Sequence, residues 1–167
     1  LGAAALGLAA LAGWAEHSVA HAVRLAADIP GTIGRDGVIT GDGYTLHLPP
    51  GWMDASAVPA VADQFPDAAL VLSDTDGNGT VAVYAEPGLA IVDEVRTRPD
   101  LNPREIEQVD GEPAVEIDAA LAPGVRRRLV VVPHAGDSYL LDFQSDLAGF
   151  DQDNRSLEQL LRRWRWG

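Results

Sequence analysis

The stretch Gly43-Tyr44-Thr45-Leu46-His47-Leu48-Pro49-Pro50-Gly51-Trp52 decides how the rest of the chain is organised. Tyr44, Leu46 and Leu48 alternate with two polar residues, which is the pattern of a strand with one buried face. The Pro-Pro-Gly run then ends the strand, because proline donates no backbone hydrogen bond and glycine takes the turn. Trp52 follows directly, and we expect it to fold back over the strand end and be buried.

The composition is that of a folded, acidic protein with room for one domain of about 120 residues and an extra segment. The 167 residues carry a formal net charge of −13 and include no cysteine. This charge argues against nucleic-acid binding and disfavours docking by charge onto anionic lipids. The lack of cysteine excludes disulfides, thiol catalysis and thiolate metal sites. All 12 basic residues are arginine, which favours a GC-rich coding bias over a functional reason.

Residues 1–31 are predicted to be a membrane anchor and tether. The segment from Leu1 to Ala15 is uncharged and almost entirely Leu, Ala and Gly, with Trp14 near its end. Fifteen helical residues span about 22 Å, less than the hydrocarbon core, so we expect further apolar residues upstream. An aromatic residue followed by Glu16 and His17 is typical of a membrane–water boundary. An uncleaved signal-peptide segment and a buried helix of a soluble domain are the alternatives.

Residues 32–167 are predicted to form an extracytoplasmic α+β domain. Alternation and turn signals predict strands over 38–40, 44–49, 68–72, 80–84, 105–110, 114–121, 125–133 and 138–144. A short helix or ordered loop is predicted within 54–65, and an amphipathic helix over 89–96. Leu157, Leu160, Leu161 and Trp164 form one apolar stripe and predict a final helix, beyond which Trp166 is half-exposed or part of an interface.

Two places resemble metal-ligating patterns, and we interpret both as structural. His17 and His21 have helical spacing, but Ser18 stands where the zincin pattern needs glutamate, so we interpret them as interfacial polar residues. The stretch Asp74-Thr75-Asp76-Gly77-Asn78-Gly79 matches the first half of a calcium-binding EF-hand loop. The required glutamate is replaced by Ala85, and strands are predicted on both sides, so we interpret the stretch as an acidic hairpin turn.

The remaining charged cluster is Arg126-Arg127-Arg128 at the start of a predicted hairpin. These arginines could bind an anionic headgroup or a partner's carboxylates. Alternation along the strand would place them on both faces of the sheet, so we favour pairing with the chain's own carboxylates. In the next strand, Tyr139, Leu141 and Phe143 are expected to share one face.

Three motifs resemble the Mog1/PsbP-like domains, including the LpqN-type envelope proteins of actinobacteria. The first is Tyr44 to Trp52, which matches the family's "aromatic-x-hydrophobic-x-hydrophobic-Pro-x-Gly-Trp". The second is the Val109-Asp110-Gly111-Glu112-Pro113-Ala114 turn, and the third is the aromatic strand Ser138-Tyr139-Leu140-Leu141-Asp142-Phe143. The resemblance covers about residues 38–166. It implies an antiparallel sheet flanked by helices, an α/β/α sandwich, that serves as a binding or assembly module. It supplies no catalytic residues, and the lipobox cysteine of the lipoprotein members is missing.

We therefore expect a non-catalytic accessory subunit, held by a single membrane-spanning helix on the outer side of an actinobacterial membrane. Its expected partners are the lipid bilayer and an integral membrane complex, such as a respiratory or envelope-transport complex, and no cofactor or metal is expected. The alternative is a domain that holds a lipid or another apolar ligand between sheet and helix, which requires a cavity of several hundred Å³. An enzyme is disfavoured because Ser138 and Ser145 lack a nucleophile-elbow context, and His47 and His134 lack an evident acid partner.

Overall fold

The computed structural model describes residues 37–86 and 91–167, and within these ranges ten strands form two antiparallel sheets. The strands are β1 (Val38–Gly41), β2 (Tyr44–His47), β3 (Trp52–Asp54), β4 (Leu70–Asp74), β5 (Gly79–Glu86), β6 (Arg104–Val109), β7 (Glu112–Ala122), β8 (Val125–His134), β9 (Asp137–Asp146) and β10 (Arg165–Trp166). The helices are α1 (Pro59–Ala62), α2 (Ile91–Arg96) and α3 (Phe150–Arg162), with a 3-10 turn at Pro99–Leu101.

The predicted anchor, residues 1–31, lies outside the described residues, and so do His17 and His21. None of the described helices is long and apolar enough to cross a membrane. The anchor and the division of the chain at residue 31 therefore stay predictions.

The large sheet has the order β3-β4-β5-β9-β8-β7-β6, and the small sheet has the order β1-β2-β10. Most neighbours in the large sheet are consecutive hairpins. The longest, β8–β9, pairs residues from Val125 opposite Asp146 to His134 opposite Asp137. The exception is β5, which pairs with β9 over eight residues, so the second half of the chain returns to the first. This pairing joins the two halves into one continuous sheet.

The first face of the large sheet is covered by α3 and the small sheet. Tyr139, Leu141 and Phe143 of β9 share this face and are buried, as the alternation predicts. Leu157 and Leu160 of α3 belong to the same cluster. Tyr44 and Leu46 of β2 join them from the small sheet.

The second face is covered by two short helices at separate places. Val61 of α1 belongs to a cluster over β4 and β5. Val92 and Val95 of α2 belong to another cluster with β7 and β8 residues. The described residues thus form an α+β fold with a large antiparallel sheet and few helices.

The Pro-Pro-Gly stop is a tight turn that leads into a short strand the sequence did not predict. The Trp52 amide donates to the Pro49 carbonyl at 3.1 Å, and Gly51 takes a positive φ of 80°. Pro50 before such a residue is the arrangement of a type II turn. Trp52 then begins β3 and is 6% exposed, as expected.

The chain end differs from the prediction. Helix α3 ends at Arg162, so Trp164 lies beyond the helix although it has the spacing of the apolar stripe. Trp164 is nonetheless fully buried and stacks on Tyr44, with ring centroids 4.4 Å apart. Trp166 is half-buried, as predicted, but it lies in β10 beside β2, a pairing that local periodicity did not reveal.

Candidate functional site

A groove of about 410 Å³ lies between α3 and the outer strands β6, β7 and β8. Its apolar lining comes from both sides: Ile106 and Val130 from the sheet, and Leu157 and Leu161 from the helix. Its polar lining consists of Gln108, Glu116, Arg128, Asn154, Glu158 and Arg162. A volume of this size is in the range of ligand pockets, and it could equally receive a few side chains of another protein.

The sheet side of the rim is held by ion pairs across three strands. Arg104 of β6 lies 2.7 Å from Glu116 and 2.6 Å from Asp118, both on β7. From β8, the Arg128 Nε donates to Asp118 at 2.8 Å, and its Nη1 donates to Asn154 of α3 at 2.7 Å. Arg128 therefore links the sheet to the helix at the rim of the groove.

Asp118 and Arg128 both stay charged near neutral pH. Burial alone would raise the pKa of Asp118, but the hydrogen bond and charge of Arg128 and the charge of Arg104 outweigh it and lower that pKa. Burial alone would lower the pKa of Arg128, but the hydrogen bond and charge of Asp118 and the charge of Glu116 outweigh burial and raise that pKa above its usual value. Because both groups stay charged, they are suited to a fixed scaffold and poorly suited to proton transfer.

The helix side of the rim is paired in the same way. The Asn154 Nδ2 donates to Glu158 at 3.1 Å, and Glu158 lies 3.8 Å from Arg162. Counting the groups that form both sides of the rim, three carboxylates (Glu116, Asp118 and Glu158) face three guanidinium groups (Arg104, Arg128 and Arg162). The groove is locally neutral in a chain whose net charge is −13.

A second polar feature is buried on the opposite face. Arg127 of β8 donates from Nε at 2.7 Å and from Nη2 to the two oxygens of Asp142 on β9, and both residues are 3% exposed. Gln144 donates to the same carboxylate at 3.1 Å. The Arg127 Nη1 and the Gln144 Oε1 have no hydrogen-bond partner among the described residues. The prediction that the arginine triplet pairs within the chain is confirmed for Arg127 and Arg128, whereas Arg126 lies over the Phe150 ring at 4.0 Å.

The acidic hairpin turn is confirmed, and one of its carboxylates caps the turn. The Oδ1 of Asp74 accepts the backbone N–H groups of Asn78 at 2.8 Å and Gly79 at 3.1 Å. Within residues 37–86 and 91–167, no group of three or more potential ligands is arranged to hold a metal ion.

Two buried carboxylates lie near this turn. Burial raises the pKa of Asp74, and the charge of nearby Asp153 adds to the shift despite the backbone hydrogen bonds. Burial likewise raises the pKa of Asp153, which accepts a 2.6 Å hydrogen bond from Ser145. Gly79 separates Trp52 from Asp153: a Cβ at this glycine would lie 3.0 Å from the Asp153 carboxylate and 3.3 Å from the Trp52 ring.

The serines and histidines considered from the sequence lie in different surroundings. Ser145 donates to Asp153, and Ser138 accepts from the Ile91 amide at 3.3 Å. His134 does have an acid partner, Glu112 at 3.0 Å, which corrects the sequence expectation. The two residues approach because the β7–β8 register, with Val115 opposite Val131, brings the start of β7 beside the end of β8. His134 also stacks on Trp166 at 4.2 Å.

Comparison with solved structures identifies the fold. The solution structure of cyanobacterial PsbP from Synechocystis sp. PCC 6803 is similar with a TM-score of 0.54 and 12% identity, covering 83% of this chain and 98% of that chain. The chain has a Mog1/PsbP-like fold. Two further matches are the Saccharomyces cerevisiae Ran-binding protein Mog1p (TM-score 0.46, 14% identity, 74% and 90% covered) and LpqN of Mycobacterium tuberculosis (0.49, 11%, 72% and 81%). No protein-family model matches the chain, and no curated protein matches it.

The Mog1/PsbP-like fold accounts for the three sequence motifs that resemble the family. The first forms β2, its turn and the start of β3. The second is the β6–β7 turn, where Asp110 and Gly111 both take positive φ. The third is β9, the strand that joins the two halves of the sheet. All three motifs form structural elements of the fold. None of the residues that line the groove belongs to them.

Proposed function

We propose that this chain is a non-catalytic accessory subunit of a larger actinobacterial membrane complex, such as a respiratory or envelope-transport complex. In this proposal residues 1–31 supply a single-pass anchor, and residues 32–167 form an α/β/α sandwich on the extracytoplasmic side. The groove between α3 and β6–β8 receives a segment of the partner subunit. The groove is the observation that supports the proposal.

Three properties of the groove favour a protein segment as the occupant. Four apolar side chains line it, and Glu116 and Arg128 are already held in ion pairs, so binding needs little further ordering of these two side chains. Its rim is locally neutral, which suits a partner segment with apolar anchors and few charges. Its position beside the edge strand β6 leaves it open to a neighbouring subunit.

A small apolar ligand is the second candidate, favoured by the same four apolar side chains and a volume of about 410 Å³. The two candidates differ in what leaves the membrane with the protein. A partner subunit would be recovered as a protein in fixed stoichiometry, whereas a ligand would be extracted from the purified chain by organic solvent.

The test is native purification of the tagged full chain from membranes, with Leu161→Asp as the groove variant. Leu161 lines the groove, and a carboxylate there would be placed among its apolar lining side chains. The matched control is Leu147→Asp, since Leu147 is 63% exposed and does not line the groove. We expect the groove variant to reduce recovery of the partner to about a tenth or less, a loss of roughly 1.4 kcal/mol or more, and the control to retain it.

Thermal unfolding of both variants checks that the fold survives. Loss of an extractable lipid in the groove variant, with no protein partner in the wild type, would favour the second candidate. Recovery of the wild type as a lone monomer, unchanged by deletion of residues 1–31 and without extractable ligand, would reject both.

A further inference from the structure

The outer face of the small sheet begins where the chain enters the described domain. Strand β1 starts at Val38, and the Leu48 amide donates to the Gly37 carbonyl at 2.6 Å. Whatever precedes residue 37 therefore joins the domain beside the end of β2. If residues 1–31 form the proposed anchor, this is the part of the domain that lies nearest the bilayer.

This face lacks acidic side chains on its strands. Tyr44 and Leu46 point into the core, so alternation directs Thr45 and His47 outward. The register places Val38 opposite His47, and both Thr40 and Arg165 opposite Thr45. The outward row therefore consists of Val38, Thr40, Thr45, His47 and Arg165. It contains no carboxylate, although the chain has 25 aspartates and glutamates.

A cavity of about 320 Å³ at this face has His47, Arg163 and Arg165 in its lining. The Arg163 side chain makes no ion pair or hydrogen bond with the described residues, so its donors are available. Arg165 is partly engaged: its Nη1 donates to the Arg162 and Trp164 carbonyls and lies 3.6 Å from Asp110. Its Nε and Nη2 make no hydrogen bond within the described part of the chain.

We infer that this face, centred on Arg163, binds the phosphodiester of an anionic lipid headgroup and orients the domain on the bilayer. The inference rests on the proposed membrane anchor. The net charge of −13 predicts that the molecule as a whole is repelled by an anionic membrane. At physiological ionic strength, however, charges more than about 8 Å away are largely screened, so the local sign of a face decides whether it approaches the membrane.

One observation, and one consequence of the proposed anchor, favour a lipid over a free phosphate as the source of that group. Val38, 37% exposed, gives the face an exposed apolar side chain beside its basic residues, which suits the headgroup region. An anchor that enters at residue 37 would also hold the face close to headgroups at high effective concentration, so a weak individual contact would be sufficient.

The test uses the full chain in nonionic detergent and short-chain phosphatidylglycerol as the titrant, followed by isothermal calorimetry. We expect saturable binding that Arg163→Gln weakens about fivefold, the effect of one arginine near an anionic surface. Arg163 has no intramolecular partner in the described residues, so this variant keeps the fold. Arg155→Gln is the matched control, since Arg155 is an exposed arginine of α3 that does not line the cavity.

Parallel titrations use short-chain phosphatidylcholine and sn-glycerol 3-phosphate. Equal binding of both phospholipids, or equal affinity of wild type and Arg163→Gln, overturns the inference. Binding of glycerol phosphate without binding of the lipid also overturns it, in favour of a soluble anion. Failure of the chain to fractionate with membranes would instead reject the proposed anchor, and it is measured separately from these titrations.

Discussion

Asp153 is a buried carboxylate whose charge the fold does not fully compensate. It is 5% exposed and accepts one short hydrogen bond from Ser145, while the charges of Asp146 and Asp76 oppose its ionisation. Its pKa is raised, so the native state holds this proton more tightly than the unfolded chain does. Its contribution to stability is therefore present below the unfolded pKa and is lost as pH rises through the folded value.

We predict that Asp153→Asn increases the stability of the domain at neutral pH. The amide has the same shape, its oxygen can accept the Ser145 hydrogen bond, and it carries no charge to desolvate. The gain over wild type should grow from about pH 4 towards pH 7, as the wild-type carboxylate ionises. Urea denaturation at a series of pH values measures this difference.

The control for Asp153 is Asp151→Asn in the same helical turn. Asp151 is exposed, so it interacts favourably with the helix dipole and is not desolvated. Its replacement should lower stability by about 0.3–1 kcal/mol. A gain from Asp153→Asn that is independent of pH would contradict the explanation by ionisation.

At the scale of single elements, Arg127 and Asp142 join β8 to β9 through a buried ion pair. Removing one partner leaves the other charge buried and unpaired. We predict that Arg127→Met lowers the free energy of unfolding by about 3–5 kcal/mol. The double variant Arg127→Met with Asp142→Leu should be clearly more stable than the single variant, because neither charge remains. It should still fall below wild type, since Gln144 loses its acceptor.

An exposed pair provides the comparison for the buried one. Arg98 and Asp100 form a 2.8 Å ion pair with both side chains exposed. Arg98→Met should change stability far less than Arg127→Met does, because water replaces the lost contact. Chemical denaturation of all three variants gives the values. A double variant as unstable as the single Arg127→Met would show that packing, rather than the unpaired charge, dominates.

The elements predicted from the sequence are those with a strong local period. Strand β9 and helix α3 carry such patterns, and the Asn78-Gly79 turn specifies the β4–β5 hairpin. Strands β3 and β10 have three and two residues, too few for an alternating pattern of apolar and polar residues to be recognised in the sequence. Both exist because a long-range partner, β4 or β2, supplies their hydrogen bonds.

The candidate groove could not be predicted in the same way. Its polar residues come from β6, β7, β8 and α3, and the register between strands determines which carboxylate meets which arginine. Alternation did predict that the arginine triplet divides between two faces, and Arg127 and Arg128 do lie on opposite faces. The sequence identified no partner for His134, because Glu112 reaches it only through folding of the strands.

At the scale of the whole molecule, the three tyrosines report on both sheets at once. Burial, followed by nearby negative charges, raises the pKa of Tyr44 in the small sheet to about 12. Burial and the charge of Asp142 raise the pKa of Tyr84 on the large sheet to about 12. Burial and the nearby Asp137 and Asp42 also raise the pKa of Tyr139, whose hydroxyl donates to the Asp42 carbonyl at 3.3 Å.

These shifts predict that no tyrosine ionises at its ordinary pKa while the domain is folded. A raised pKa means that the stabilising contribution is complete below about pH 10 and is lost as pH rises through about 12. For Tyr44 the loss is roughly 2–3 kcal/mol, a large part of the stability of an ordinary domain. Absorbance of tyrosinate and near-ultraviolet circular dichroism should therefore change together in one alkaline transition.

Tyr44→Phe isolates the contribution of the small sheet to that transition. The Tyr44 hydroxyl makes no hydrogen bond with the described residues, so the variant keeps its packing on Trp164 and loses only the ionisable group. Its alkaline midpoint should move to higher pH, and the chain unfolded in guanidinium should titrate near pH 10. A tyrosine that ionises near pH 10 while the circular dichroism stays native would contradict the prediction. Because Tyr44 packs against both Trp164 and Tyr139, such a result would mean that water reaches a tyrosine hydroxyl while this aromatic packing stays intact.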